Sequence, residues 1–117
     1  MAVTELLARV AAAFDENRVP FLLIGGMAVS TWIEERLTRD VDIVAMVRRG
    51  DASRLKAALI SSGTRVTALE MRMLFERRFL LLKTVGPRLD VKVATGAHDR
   101  AAFEHAGRVE IQGHPVA

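Results

Sequence analysis

A chain of 117 residues that is 50% hydrophobic and 26% charged has apolar surface for one core and is too short for two, which excludes a disordered tail and a two-domain arrangement. With no cysteine, disulfide frameworks, thiolate zinc sites and thiol nucleophiles are excluded, and a cytoplasmic location is the expectation. The net charge of +3 can attract phosphates without diagnosing nucleic acid, and 5% aromatic content with no tyrosine argues against a base-stacking platform.

Taken in chain order, Thr4 is placed to cap a first helix running to about Asn17, with Leu6, Leu7, Val10, Ala11 and Phe14 on one apolar face. Pro20 opens a short strand, Phe21 to Ile24, apolar on both faces as a central strand would be. Gly25-Gly26 breaks it, and Met27 to Glu35 resumes a helical pattern in which Trp32, at helical spacing from Ala28, reads as core rather than as a base-stacking residue. A second strand runs from about Asp40 to Val47. Asp51 then caps a helix to about Ser62, with Leu55, Leu59 and Ile60 inward and Gly63 ending it. Thr64 to Leu69 fits no one pattern, and Glu70 to Arg77 reads as a short helix with Met71 and Met73 as core filler. Phe79 to Val85 and Leu89 to Thr95 are β-rich runs either side of Gly86-Pro87-Arg88, the pattern of an antiparallel hairpin. Asp99 to Ala106 reads as helix and Arg108 to Gln112 as a last strand with an open edge that could pair with a second copy. The expected fold class is α/β (α+β), a mixed sheet with flanking helices in a single domain, and no apolar run is long enough to span a membrane.

Three features could carry chemistry. Gly25-Gly26 at a strand-to-helix junction lets a phosphate approach backbone N–H groups at the positive end of a helix, although such a pair also makes an ordinary tight turn. In Asp40-Val41-Asp42-Ile43, strand alternation puts both carboxylates on one face, about 7 Å apart at ~3.3 Å rise per residue. They either converge on hard cations or stand as a solvated pair. Asp90 likewise interrupts an alternating strand, with Leu89, Val91 and Val93 on the other face and Lys92 on its own, although a strand-start acid beside a turn also reads as a solvated end. A glycine cradle with three carboxylates from two strands fits two-metal phosphoryl chemistry. His98, His105 and His114 show no metal-ligand spacing, and no Gly-x-Ser-x-Gly elbow supports a hydrolase.

Ile24-Gly25-Gly26, thirteen residues, then Asp40-Val41-Asp42-Ile43 resembles the signature of the DNA polymerase β-like nucleotidyltransferase superfamily. Within it, Arg36-x-Thr38-x-Asp40-x-Asp42 after a Gly-Gly helix resembles the AbiEii-like nucleotidyltransferases of bacterial toxin–antitoxin and phage-defence systems. The resemblance implies that Asp40, Asp42 and Asp90 are the catalytic acids and ligands of two Mg²⁺ ions, with Asp90 also the candidate general base. It also implies that Gly25 and Gly26 form the phosphate turn. Arg36, Thr38 and Lys83 are candidate nucleotide contacts; Arg36 reads equally as a surface arginine at a helix end. The implied reaction transfers a nucleoside monophosphate from an NTP to an RNA, tRNA among them, or to a partner protein. Lys92 stands where relatives carry an apolar residue and either pairs with Asp90, lies solvated or binds phosphate. Arg72, Arg77 and Arg78 either steer RNA or form a solvated helix face. The C-terminal helical region of relatives is not expected within this chain. The competing reading is a non-catalytic module of the same fold that dimerises or holds a protein partner. The catalytic reading requires residue 90 to emerge on the same side of the sheet as residues 40 and 42.

Overall fold

The computed structural model describes residues 3–24, 40–84, 86–94, 109–111 and 114–116. Helix α1 is Val3–Glu16, so Thr4 lies just inside it. Leu6, Leu7, Val10, Ala11 and Phe14 are all buried, as the spacing predicts. The helix ends at Arg18, which takes the left-handed conformation (φ 57°), while the Val19 amide reaches back to the Phe14 carbonyl at 2.8 Å. Asn17 adds a side-chain bond to the Ala13 carbonyl at 2.8 Å. This sharp stop turns the chain into β1, Phe21–Ile24, and brings Phe21 edge-on to Phe14 with ring centroids 5.3 Å apart.

Strand β2 is Asp40–Ala45, and a 3-10 turn at Arg49–Asp51 leads to α2, Ala52–Ser61. Asp51 stands at the N-cap without a side-chain capping bond. Its carboxylate instead meets Arg54 at 2.7 Å and accepts from the Arg48 amide, and these hold it below the usual carboxylate range. Leu55, Ala58 and Leu59 are buried, whereas Ile60 is 54% exposed and not inward as its hydrophobicity suggested. Its position is one helical step, about 100°, past the buried stripe. Helix α3, Ala68–Arg77, begins two residues before the expected Glu70 because Thr67 and Glu70 close a reciprocal capping box. Met71 is buried and Met73 half-buried. Thr67→Ala removes one half of that box and is expected to cost about 1 kcal/mol, read as a lower denaturation midpoint with unchanged m-value.

Strands β3, Phe79–Leu82, and β4, Arg88–Val93, form the expected antiparallel hairpin. The Thr84 hydroxyl stitches its turn, donating to the Pro87 carbonyl at 2.6 Å and accepting from the Gly86 amide at 2.9 Å. The sheet order is β1-β2-β4-β3, with β2 and β4 parallel and both outer pairs antiparallel. The mixed α+β architecture is therefore the expected one. Strand β1 is a correction: it lies at the edge of this sheet, not in its centre. Its two apolar faces reflect cover from both sides, with Phe21 and Leu23 buried and Leu22 half-buried. Strand β5 at Val109–Ile111 is not the last: β6 at His114–Val116 of the same chain pairs antiparallel with it along one edge.

One face of the sheet is core. Val41, Ile43 and Ala45 from β2, and Leu89, Val91 and Val93 from β4, pack against the buried stripes of α1, α2 and α3. Burial of each large aliphatic side chain here contributes roughly 1.5–3 kcal/mol. The same alternation forces residues 40, 42, 88, 90 and 92 onto the opposite face. No helix among the described residues is long and apolar enough to cross a membrane.

Candidate functional site

Parallel pairing of β2 with β4 sets Asp40 beside Arg88 and Asp42 beside Asp90. The condition on residue 90 is met: two separate strands place Asp40, Asp42 and Asp90 on one face. Leu81 of β3 continues the row beyond Asp90, and Ile24 of β1 stands opposite Asp42 on the other side. Asp90 is 7% exposed, while Asp40 and Asp42 are half-buried.

Bringing three carboxylates into so small an area has an electrostatic cost. It is seen at Asp42, whose carboxyl is pushed from 3.8 up to about 6. Burial is the main cause, followed by the hydrogen bond and charge of Asp90 beside it and the charge of Asp40, against which Arg88 pulls in the other direction.

Arg88 is the residue that sequence reasoning missed. It reads as part of a Gly-Pro-Arg turn, yet it is the first residue of β4. Its Nε donates to Asp90 Oδ1 at 2.7 Å and its Nη2 to Asp90 Oδ2 at 3.1 Å. The same Nη2 donates to Asp40 Oδ2 at 3.0 Å, so one guanidinium bridges two strands. The acids in turn raise the Arg88 pKa, with the Asp90 hydrogen bond the largest cause. The signal was present in the alternation Arg88-x-Asp90-x-Lys92.

The other predicted residues fare differently. Lys83 follows β3 as an exposed residue and makes no hydrogen bond or ion pair with the three carboxylates among the described residues; its backbone carbonyl accepts from the Arg65 amide. Lys92 is half-buried on the acidic face, in register with Val44 and Phe79. Arg72, Arg77 and Arg78 are exposed. Gly25, Gly26, Arg36 and Thr38, the helix expected over Met27 to Glu35 and that over Asp99 to Ala106 lie outside the described residues.

Among the described residues no three His, Cys, Asp or Glu side chains are already gathered to hold a metal ion. Arg88 draws both Asp90 oxygens and one of Asp40 onto its own nitrogens. The donor set nevertheless suits a hard divalent cation. All three groups are carboxylates, which are hard oxygen donors, and they stand on one face of two adjacent strands. Asp40, Asp42 and Asp90 are the residues that could hold such an ion.

Solved structures share this architecture. The antibiotic-resistance factor ANT(2'')-Ia, whose solution structure reveals substrate-regulated conformation dynamics, is similar over 97% of this chain and 62% of its own, with a TM-score of 0.63 and 23% identity. An antigenic nucleotidyltransferase-like protein from Paracoccidioides brasiliensis is similar over 99% of this chain and 61% of its own, with a TM-score of 0.54 and 19% identity. No family model matches the chain, and no curated protein does. The chain spans about three fifths of the length of these two structures, and at such identities the likeness is one of fold: a nucleotidyltransferase-like α+β core.

Proposed function

We propose that the chain is the core of a metal-dependent nucleotidyltransferase that moves a nucleoside monophosphate from an NTP to an acceptor hydroxyl. The observation that carries this reading is the row of three carboxylates from two parallel strands, with Asp42 in register with Asp90 and resisting ionisation. Asp40, Asp42 and Asp90 would hold Mg²⁺, which when bound supplies charge neutralisation at the phosphates. In this reading Asp90 accepts the proton of the acceptor hydroxyl. The hydroxyl oxygen then bonds to the α-phosphorus, the bond to the bridging oxygen breaks, and pyrophosphate leaves. Positioning and charge matter more here than covalent chemistry by the protein. Gly25 and Gly26 are proposed as the phosphate turn, with Arg36, Thr38 and Lys83 as further nucleotide contacts. The motif Arg36-x-Thr38-x-Asp40-x-Asp42 favours a role in a toxin–antitoxin or defence module, with RNA, tRNA among them, or a partner protein as acceptor.

The experiment offers Mg²⁺ and each labelled NTP to the protein, with tRNA, total RNA or candidate partner protein as acceptor. Label transfer in at least one combination, lost on chelation with EDTA, is the expected result. Silence in every combination, together with no heat of MgATP binding by calorimetry, overturns the catalytic reading. That outcome favours the second one, a binding module of the same fold, for which the ion pairs of Arg88 to Asp40 and Asp90 are the supporting observation.

A further inference from the structure

We propose that Arg88 is the resident counter-cation of the carboxylate row and that a divalent cation enters by displacing its guanidinium, so that Arg88 sets the metal affinity of the protein. This rests on the reading of Asp40, Asp42 and Asp90 as metal-binding residues. The guanidinium engages three of the carboxylate oxygens that a metal would use. Both oxygens of Asp90 accept from it, at 2.7 and 3.1 Å, and so does Oδ2 of Asp40, at 3.0 Å. A planar fork bonded to both oxygens of one carboxylate is the strongest neutral-pH partner a side chain can offer that group. Arginine does not lose its proton in this pH range, so a rise in pH does not release it; a competing cation does.

The geometry also lets Arg88 leave. Its side chain is 45% exposed, against 9% for that of Asp90, so the head group can swing into water on its stem without opening a cavity. Asp40 and Asp90 are tethered to backbone in adjacent parallel strands and stay in place. The exchange is therefore one mobile cation for another over a fixed anionic floor. In the absence of metal the guanidinium keeps the floor partly neutralised.

The test is Mn²⁺ binding, followed by loss of the free-ion electron paramagnetic resonance signal at pH 7.5. It compares wild type, Arg88→Met, which keeps an unbranched apolar stem without charge, and Arg88→Lys, which keeps charge without the fork. Arg88→Met is expected to bind Mn²⁺ at least tenfold more tightly than wild type, with Arg88→Lys in between. Without metal, the thermal midpoint of Arg88→Met should fall, and Mn²⁺ should raise it by more than it raises that of wild type. Wild-type binding that is unimproved or weakened in Arg88→Met overturns the proposal and leaves the metal site standing. No Mn²⁺ binding by any of the three proteins overturns the metal site and this proposal with it. Should Arg88→Met not fold, Arg88→Lys decides: tighter binding than wild type supports displacement, and equal or weaker binding overturns it.

Discussion

Asp42→Asn is expected to raise the thermal midpoint of the metal-free protein at pH 8 by about 3–5 °C while abolishing its stabilisation by Mg²⁺ and nucleotide. The sign follows from proton linkage. The Asp42 carboxyl is near 3.8 when unfolded and about 6 in the folded chain, so the native state binds the proton more tightly. Its contribution to stability is full below pH 3.8 and is lost as pH rises through 6. Above pH 6 the folded protein carries an ionised Asp42 against burial, Asp90 and Asp40. A shift of this size corresponds to about 3 kcal/mol, which solvent screening of a half-exposed carboxyl reduces to about 1 kcal/mol. Asparagine keeps the shape and removes the charge, so the gain should appear at pH 8 and vanish near pH 3.5. Thermal scans across this range read it directly. A variant no more stable than wild type at pH 8 would remove the electrostatic account of Asp42. A variant that keeps its Mg²⁺-dependent stabilisation would remove Asp42 from the metal site.

What the sequence made legible was whatever depends on local period. Alternation in Asp40-Val41-Asp42-Ile43 and in Leu89-Asp90-Val91 is a property of each strand alone, and it correctly assigned acids and aliphatics to opposite faces. That the two strands are neighbours, parallel and in register at Asp42 and Asp90 is a property of the crossover through α2, α3 and β3, which no local pattern encodes. Turn chemistry hid Arg88, because Gly86-Pro87 punctuates so strongly that the residue after it reads as loop. The strand in fact begins at once, and its alternation places the guanidinium over the acids. Strand β1 failed for a related reason. Apolar residues on both faces report that both are covered, not how many strands flank the edges. Ile60 shows the limit of residue type: a β-branched hydrophobe one step off the buried stripe of Leu55, Ala58 and Leu59 stays outside.

Asp90→Asn should separate the two neighbouring acids, because it has the opposite effect on stability and the same effect on chemistry as Asp42→Asn. Asp90 is the more buried of the pair and receives the Arg88 fork at 2.7 and 3.1 Å. Asparagine can accept at one atom only and presents an N–H₂ to the other donor, so the fork is broken and the charge attraction lost. The expected cost is about 1–2 kcal/mol, kept modest because Arg88 itself reaches water. It should be larger at pH 5, where Asp42 is mostly protonated, than at pH 8, where losing the Asp90 charge also relieves Asp42. If Asp90 both holds metal and accepts the hydroxyl proton, nucleotidyl transfer should fall at least a hundredfold in the variant. The measurement pairs thermal scans at the two pH values with the labelled-NTP assay. Destabilisation at pH 5 with undiminished transfer would make Asp90 an anchor for Arg88 and nothing more. A stabilised Asp90→Asn protein would mean that repulsion from Asp42 outweighs the Arg88 pair, which inverts the charge balance on which the site has been built.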